Sequence, residues 1–457
     1  MGKGNKILLI EPGYRNKYPP LGLMKIASYH KLRGDYTYFA KGCHKHLLNT
    51  IWDRVYISTL FTFHWKITLD TIRFYTLAVN SPQDIIVGGV LATLFSEELR
   101  NELGVRVIPG LLDKPGILDD GDNRIVDTLV PDYFMLHDTD YKYGLQDAYF
   151  GYATRGCPNR CKFCAVHHIE PTFVHYLPLK RQVQKIESIY GAKQNLIIMD
   201  NNVLASSRFG DIIRDILELG FEKGAKYRNR LRFVDFNQGL DMRLLTKAKA
   251  KLLAQTAISP VRLAFDSLKL KTKYSEKVKL LCSVGLPEIS TYVLFNYNDT
   301  PTDFYERLRT NVELNARFGS KIYAFPMRYI PLDGKERSYV GKNWTWRLLR
   351  GVQCMLLATH GLVSPHLEFF EAQFGRTSEE FLELALMPED YIIHRKFHTN
   401  NGAKKWKKVF RSLSPNDRNR FCNIISERPT KSFLTEENLS RSIKNLLSHY
   451  SILKKCD

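Results

Sequence analysis

Three cysteines within residues 157–164 constrain this chain more than any other feature of its sequence. They are spaced C-x3-C-x2-C in the stretch Arg155-Gly156-Cys157-Pro158-Asn159-Arg160-Cys161-Lys162-Phe163-Cys164. Three thiolates in so short a loop can bind one metal centre. They are one fewer than an electron-transfer iron–sulfur cluster uses, so a cubane held by them keeps one iron open to another ligand. An open coordination position is what catalysis at a metal needs.

A zinc site is the alternative for the same loop. His167 follows Cys164 after two intervening residues, and three cysteines with one histidine can hold a structural zinc ion. The simplest alternative is a set of reduced thiols that binds no metal.

The cysteine spacing, with the aromatic Phe163 before the last cysteine, resembles the radical S-adenosylmethionine (radical SAM) superfamily. The resemblance implies that Cys157, Cys161 and Cys164 hold a 4Fe-4S cluster whose open iron chelates SAM, with Phe163 beside it. One electron then splits SAM into methionine and a 5'-deoxyadenosyl radical, which takes a hydrogen from the substrate. A reductase or a flavodoxin-type protein is the expected electron donor.

Composition limits the remaining possibilities. A chain of 457 residues is too long for one compact core, so several domains are expected. No apolar run is long enough to span a bilayer, and no signal peptide is visible. Eight cysteines without a pairing pattern predict a reducing compartment, the cytoplasm. The net charge of +20 leaves a nucleic acid open as a partner, beside a small-molecule or peptide substrate.

The N-terminal part predicts a doubly wound, Rossmann-like α/β domain over residues 1–130, because short apolar strands alternate with helical stretches. Strands are predicted at 6–12, 36–40, 54–60, 84–90 and 105–109. The first strand, the Pro-Pro-Leu-Gly-Leu turn at 19–23 and the Val-Gly-Gly turn resemble the cobalamin-binding-type domain that precedes many radical SAM cores. Its ligating motif D-x-H-x-x-G is absent. The loop after the second strand carries His44 and His46 instead, so cobalamin stays open as a cofactor.

After a linker at 131–147, strand–helix repeats predict a partial (β/α)6 TIM-type barrel of the radical SAM kind over residues 148–334. The six strands are predicted at 148–154, 195–199, 231–236, 260–265, 289–295 and 321–326. The cysteine loop follows the first of them. Parallel barrels carry their chemistry at the C-terminal ends of the strands, which would place this loop in the active site.

Polar residues follow every predicted barrel strand. The resemblance implies that those after strands two to four bind SAM: Asp200, Asn201, Asn202, Gln238, Asp241, Arg243, Asp266 and Ser267. The first three replace the family's Gly-Gly-Glu, and Asp266-Ser267 corresponds to its Glu-Ser step. After strands five and six, Asn296 and Arg328 are weaker candidates for substrate contact. For Asp266, Ser267, Asn296 and Arg328 the alternative is a structural hydrogen-bonding role, and for residues 200–202 it is a plain Asn-rich turn.

Residues 335–457 predict a helical, basic C-terminal extension. Basic residues from 395 to 411 are interleaved with Phe397, Trp406 and Phe410, a pattern that suits phosphate contact and base stacking. The favoured alternative is an amphipathic helix at 403–411 whose Trp406 and Phe410 face the core.

We therefore expect a radical SAM enzyme that modifies its substrate by methylation, sulfur insertion or rearrangement. The alternatives are a radical SAM enzyme that modifies nucleic acid, and a zinc-stabilised module that binds nucleic acid.

Overall fold

The fold is described from a computed structural model for residues 4–357, 359–426 and 439–450. The chain divides into two compact units. The first comprises residues 1–259 and 330–339, and the second comprises residues 260–329 and 340–457.

The N-terminal part of the first unit is a five-stranded parallel sheet in the order β2-β1-β3-β4-β5. Its strands are β1 Lys6–Glu11, β2 Tyr36–Lys41, β3 Arg54–Thr59, β4 Ile85–Gly89 and β5 Arg106–Ile108, and its helices are α1 Leu21–Lys31, α2 Trp65–Tyr75, α3 Val90–Leu94 and α4 Ser96–Leu103. Residues 7–11 of β1 are all buried because helices cover both faces of a doubly wound sheet. The strand order is one found in doubly wound folds, and the predicted α/β class with parallel strands agrees with it.

A second parallel sheet in this unit has the order β10-β7-β6. Its strands are β6 Ala148–Gly151, β7 Asn195–Ile198 and β10 Val234–Phe236, with the hairpin β8 Lys226–Tyr227 and β9 Arg230–Leu231, and its helices are α5 Val166–Ile169, α6 Leu179–Tyr190, α7 Phe209–Glu218 and α8 Lys247–Leu253. The strand predicted at 231–236 is thus divided. Leu231 belongs to the hairpin, whose turn residues Arg228 and Asn229 both have positive φ.

The predicted linker is packed rather than extended. Tyr133, Met135 and Tyr143 are buried, and the Tyr143 hydroxyl donates to Glu11 at the end of β1 over 2.5 Å. These contacts tie the segment to the five-stranded sheet.

The second unit contains a parallel sheet in the order β11-β12-β13 and a set of helices. Its strands are β11 Val261–Ala264, β12 Glu288–Phe295 and β13 Lys321–Arg328, and its helices are α9 Lys271–Ser283, α10 Pro301–Phe318, α11 Trp346–Leu357, α12 Leu367–Phe374, α13 Ser378–Leu386, α14 Glu389–Ile393, α15 Arg395–His398, α16 Lys404–Arg411, α17 Pro415–Ser426 and α18 Arg441–Leu447. Helix α10 begins at a capping box of Thr300 and Asp303 and ends before Gly319, whose φ is 64°.

The amphipathic interpretation of α16 is confirmed. Trp406 is 0% exposed and Phe410 is 5% exposed, and their rings stack at 4.8 Å within the core of the second unit. Because both rings are buried, they are not free to stack on bases. Lys404, Lys405 and Lys408 remain exposed. The helical prediction for 412–457 holds for α17 and α18, while 427–438 and 451–457 lie outside the described residues.

The first three predicted barrel strands belong to the first unit, and the last three belong to the second unit. The six-stranded partial barrel and the domain limits at 130, 147 and 334 therefore stay predictions. No helix in the described part of the chain has the length and apolar character needed to cross a bilayer.

Candidate active site

The cysteine loop leaves the C-terminal end of β6 and is closed at its base. Arg155 and Val174 form an isolated antiparallel bridge with N–O distances of 3.2 and 2.9 Å. The Leu177 N–H donates to the Ala153 carbonyl over 2.7 Å. Residues between 155 and 174 therefore form a loop whose two ends are held together beside the sheet.

Gly156 makes the sharp turn that leads into Cys157. Its φ is 72°, a conformation that favours glycine. A Cβ atom at this position would lie 2.5 Å from the Thr172 carbonyl oxygen and 3.0 Å from that of Glu170. The close approach of these backbones leaves no room for a side chain, so the start of the cysteine loop requires glycine.

Glu170 holds the loop from within. Its carboxylate accepts hydrogen bonds from the Gly156 N–H at 2.6 Å, from Arg155 Nη1 at 2.7 Å and from Asn201 Nδ2 at 2.9 Å. Glu170 is 7% exposed, so these donors replace water around a buried charge. This carboxylate therefore connects the cysteine loop to the end of β7.

The Arg155 guanidinium extends the same network to the N-terminal sheet. Its Nη2 donates to Asp127 at 2.6 Å, and Asp127 also accepts from Lys25 of α1 at 2.8 Å. Burial acts against the Arg155 charge, but Tyr152, Asp127 and Glu170 outweigh it and raise its pKa. A chain of buried charges thus runs from α1 to the cysteine loop.

Arg155 and Glu170 were not among the residues predicted for the site. A signal was present, because Glu170 is the only acidic residue between Asp147 and Glu187, in a stretch rich in basic residues. A lone carboxylate among cations is a candidate for a buried ion pair.

The three thiols of the loop are half-buried. The Cys164 N–H donates to the Cys161 carbonyl over 3.0 Å, which makes a tight turn between these two cysteines. Burial raises the pKa of the Cys164 thiol, and the nearby Cys161 and Cys157 sulfurs add to this shift. In the described part of the chain, no three His, Cys, Asp or Glu side chains form an assembled metal site. The Cys164 thiol thus lies within electrostatic reach of the Cys161 and Cys157 sulfurs, and the arrangement of the three as cluster ligands stays a prediction.

Asp200 is buried at the end of β7 and faces the base of the cysteine loop. Its Oδ1 accepts from the Ala153 N–H and its Oδ2 from the Thr154 hydroxyl, both at 2.8 Å. Burial raises its pKa to about 7 in spite of these hydrogen bonds. Both Asp200 oxygens already accept hydrogen bonds from protein donors. The role of Asp200 in SAM binding stays a prediction.

Asn202 reaches the cysteines directly. Its Nδ2 lies 3.4 Å from Cys157 Sγ and 3.5 Å from Asp241 Oδ2. The residue is 2% exposed, and its Oδ1 is buried without a hydrogen-bond partner among the described residues. A buried carboxamide oxygen with no donor is a ready acceptor for an ammonium or amide group.

The Asp241 carboxylate accepts hydrogen bonds from several donors beside the cysteine loop. It accepts from Arg243 Nη2 at 2.7 Å and Asn159 Nδ2 at 3.1 Å. Burial acts to raise the pKa of Asp241, but the Arg243 guanidinium dominates and holds it below its ordinary value. Arg243 also interacts electrostatically with Cys161 and Cys157. The structure thus brings residues after β7 and β10 to the cysteine loop.

Gln238 and Phe163 are two further residues predicted beside SAM. Gln238 is exposed and Phe163 is half-buried. His167 packs against His168 with ring centroids 4.1 Å apart and ring planes inclined at 40°, and its Nδ1 is buried with no partner in the described residues. In the N-terminal sheet, His44 Nε2 lies 2.9 Å from the Lys41 carbonyl oxygen, so one ring nitrogen is in use.

The remaining predicted residues lie in the second unit. Asp266 Oδ1 accepts from the Leu294 N–H at 3.1 Å. Ser267 precedes a short turn of helix without capping it, and Arg328 ends β13. Asn296 is fully buried between two backbone segments. Their predicted contacts with SAM or substrate stay predictions.

The donor set of the loop fits the groups that the resemblance implies. Thiolates are the ligands that iron–sulfur clusters use. The unpaired Asn202 Oδ1 suits the amino group of SAM, and the exposed Arg243 suits a carboxylate. Cys157, Cys161 and Cys164 would hold the cluster, with Asn202, Asp241 and Arg243 beside it.

The similarity of this chain to known proteins lies in its fold. No family model and no curated protein sequence matches it. The structure of TsrM from Kitasatospora setae, a radical S-adenosylmethionine methyltransferase with cobalamin and a [4Fe-4S] cluster bound, aligns with a TM-score of 0.51 and 13% identity, covering 77% of this chain and 78% of that chain. TsrM with tryptophan substrate and the SAM analogue aza-SAM aligns with a TM-score of 0.50 and 12% identity, covering 77% and 76%. The chain therefore shares the fold of these two TsrM structures.

A third similar structure is that of apo OxsB, a cobalamin-dependent SAM radical enzyme. It has a TM-score of 0.46 and 11% identity, and covers 98% of this chain and 75% of that chain. The two TsrM structures confirm, at the level of the fold, the predicted resemblance to radical SAM proteins with a cobalamin-binding-type domain.

Proposed function

We propose that this protein is a radical SAM enzyme that binds a 4Fe-4S cluster through Cys157, Cys161 and Cys164 and cleaves SAM. The observation that carries the proposal is the surroundings of the cysteine loop. On a fold shared with a radical SAM methyltransferase, Asn202 and the Asp241–Arg243 pair lie beside a loop whose three thiols would leave one iron of a 4Fe-4S cluster open. A purely structural zinc site would not need an unpaired buried acceptor next to its sulfurs.

Each side chain around the cysteine loop would have a separate role in binding the cluster or SAM. The Cys157, Cys161 and Cys164 thiolates hold the cluster, which when bound supplies the electron that splits SAM into methionine and a 5'-deoxyadenosyl radical. Asn202 Oδ1 accepts from the SAM ammonium group, and Arg243 donates to the SAM carboxylate. Glu170 and Arg155 keep the loop in place while the open position is filled.

A small molecule is the substrate class we propose. TsrM carries tryptophan as substrate on the same fold, and methyl transfer is the reaction of that protein. Methylation is therefore our first candidate outcome here, ahead of sulfur insertion or rearrangement. A cytoplasmic location and a reductase or flavodoxin-type electron donor belong to the same proposal, since reduced clusters need a reducing compartment.

The proposal is tested on anaerobically reconstituted protein. Iron, sulfide and zinc are counted per chain, and SAM and a strong reductant are then added. We expect about four irons per chain, as one 4Fe-4S cluster requires, together with 5'-deoxyadenosine and methionine, or S-adenosylhomocysteine when a methyl acceptor is present. Zinc without iron, and intact SAM, would overturn the proposal. Cys282→Ala is a matched control, because this half-buried cysteine lies in the second unit.

A further inference from the structure

The side chain of Asn202 is held by two acceptors of different kinds. Its amide nitrogen has two N–H groups. Cys157 Sγ lies 3.4 Å from this nitrogen and Asp241 Oδ2 lies 3.5 Å from it. One donor for each acceptor accounts for the position of the amide.

We propose that Asn202 is a positioning residue that tunes the iron–sulfur cluster by donating an N–H to the Cys157 sulfur and so raising the reduction potential. The inference rests on the proposed function, because it requires Cys157 to be a cluster ligand. Hydrogen bonds to ligand sulfurs favour the reduced, more negative state of a cluster. Asn202 is 2% exposed, so little water screens this interaction.

Electrostatics explains why the nitrogen, and not the oxygen, faces the loop. If the amide were turned by 180°, its oxygen would lie against a sulfur and a carboxylate, which are both acceptors. Asp241 is itself fixed by Arg243 and Asn159, at 2.7 and 3.1 Å. The carboxylate therefore holds the amide in the orientation that presents an N–H to Cys157.

An ordinary structural role for Asn202 does not account for this orientation. Asn202 occupies the N-cap position of the short helical turn Val203–Ala205, where an asparagine side chain would normally accept from a backbone N–H. It makes no such capping bond. Its oxygen is instead buried and without a partner in the described residues. The Asn202 side chain therefore makes no hydrogen bond to its own helical turn, and its amide nitrogen lies toward Cys157 of the cysteine loop.

The test compares Asn202→Leu with its matched neighbour Asn201→Leu. Asn201 carries the same amide one residue earlier, but it donates to Glu170 and not to a cysteine. Each reconstituted full-length variant is titrated anaerobically without SAM, and the reduced cluster is followed by electron paramagnetic resonance. We expect Asn202→Leu to shift the reduced-to-oxidised equilibrium toward the oxidised form by up to about tenfold, which is ~59 mV for one electron. The cluster of Asn201→Leu should have the same reduction potential as that of the wild type.

The outcomes separate this inference from the proposed function. A wild-type protein that assembles no cluster overturns both. A wild type that assembles the cluster and cleaves SAM, with an Asn202→Leu variant at the same potential, overturns the inference alone.

A second measurement does not depend on how well the variant folds. In wild-type protein whose asparagine side-chain amides are labelled with 15N, the reduced cluster should show a hyperfine coupling to 15N. Asn202 Nδ2 lies 3.4 Å from Cys157 Sγ, so absence of the coupling would overturn the assignment to Asn202.

Discussion

Asn202 and Asn296 follow comparable strands of two parallel sheets, and their surroundings differ. Both are buried, at 2% and 0% exposure, and both come directly after or close to the end of a strand. Asn296 Oδ1 accepts from the Gly341 N–H at 2.7 Å, and its Nδ2 donates to the Tyr329 carbonyl at 3.1 Å. Asn202 contacts a cysteine sulfur and leaves its oxygen without a partner.

The difference shows that a polar residue at a strand end is not by itself a functional residue. Asn296 has φ 69° and uses its amide to join two backbone segments, which is a structural role, and its predicted contact with substrate stays a prediction. The Asn202 amide is incomplete without a further donor. An unsatisfied buried group beside chemically reactive side chains distinguishes the candidate site from a structural polar position. Four predictions test this distinction.

Removal of one thiol should have the largest effect. Cys161→Ala is expected to abolish cluster assembly and SAM cleavage and to leave the circular dichroism spectrum nearly unchanged, because Cys161 is half-buried in a loop. Iron content and 5'-deoxyadenosine are the measurements, with Cys282→Ala as the control. SAM cleavage that persists in Cys161→Ala would mean that the loop is not the cluster site.

Asp200 should make stability depend on pH. In the folded protein its pKa is raised to about 7 by burial, whereas the unfolded chain releases the proton near the ordinary value of 3.8. The folded state therefore binds more protons between these values, and stability should fall as pH rises from about 4 to about 7, by up to about 1.4 kcal/mol per pH unit. Asp200→Asn removes this contribution.

Urea unfolding of cluster-free protein at several pH values measures the effect. The amide of Asp200→Asn can still accept from the Ala153 N–H, so the variant should fold. If the free energy of unfolding of Asp200→Asn falls equally steeply as pH rises, groups other than Asp200 cause the pH dependence. SAM affinity measured on the same variant tests the separate prediction that Asp200 binds SAM.

Loss of the buried carboxylate should destabilise the cysteine loop. Glu170→Ala leaves the Gly156 N–H and the Arg155 Nη1 without their acceptor. We expect a loss of about 3 kcal/mol in the free energy of unfolding and a lower iron content after reconstitution. A variant with wild-type stability and full iron content would contradict the role of Glu170 in holding the loop.

The smallest effect is expected at the structural member of the pair. Asn296→Ala leaves the Gly341 N–H and Tyr329 carbonyl unpaired in a buried place, which should cost about 2 kcal/mol of stability. Iron content and cluster potential should match the wild type. A shifted potential in Asn296→Ala would erase the distinction between the two asparagines.

Several elements were predictable from local pattern. The five N-terminal strands follow short apolar runs, and Trp406 and Phe410 are buried as their spacing of four residues predicts. The cysteine loop follows a strand, as expected. The start of the third predicted barrel strand was wrong, since it was placed at residue 231 and β10 begins at Val234. The turn at Arg228 and Asn229 carries no glycine or proline to mark it.

The sequence by itself determined the spacing of the three thiols and the strand–helix rhythm. These depend on neighbours along the chain. Only the tertiary structure decided which polar residues meet the thiols. The register of β6 with β7, which pairs Gly151 with Ile198, brings Asp200 to the base of the loop and Asn202 to Cys157. A shift of one residue in that register would turn each side chain to the opposite face of the sheet, and local sequence does not encode it.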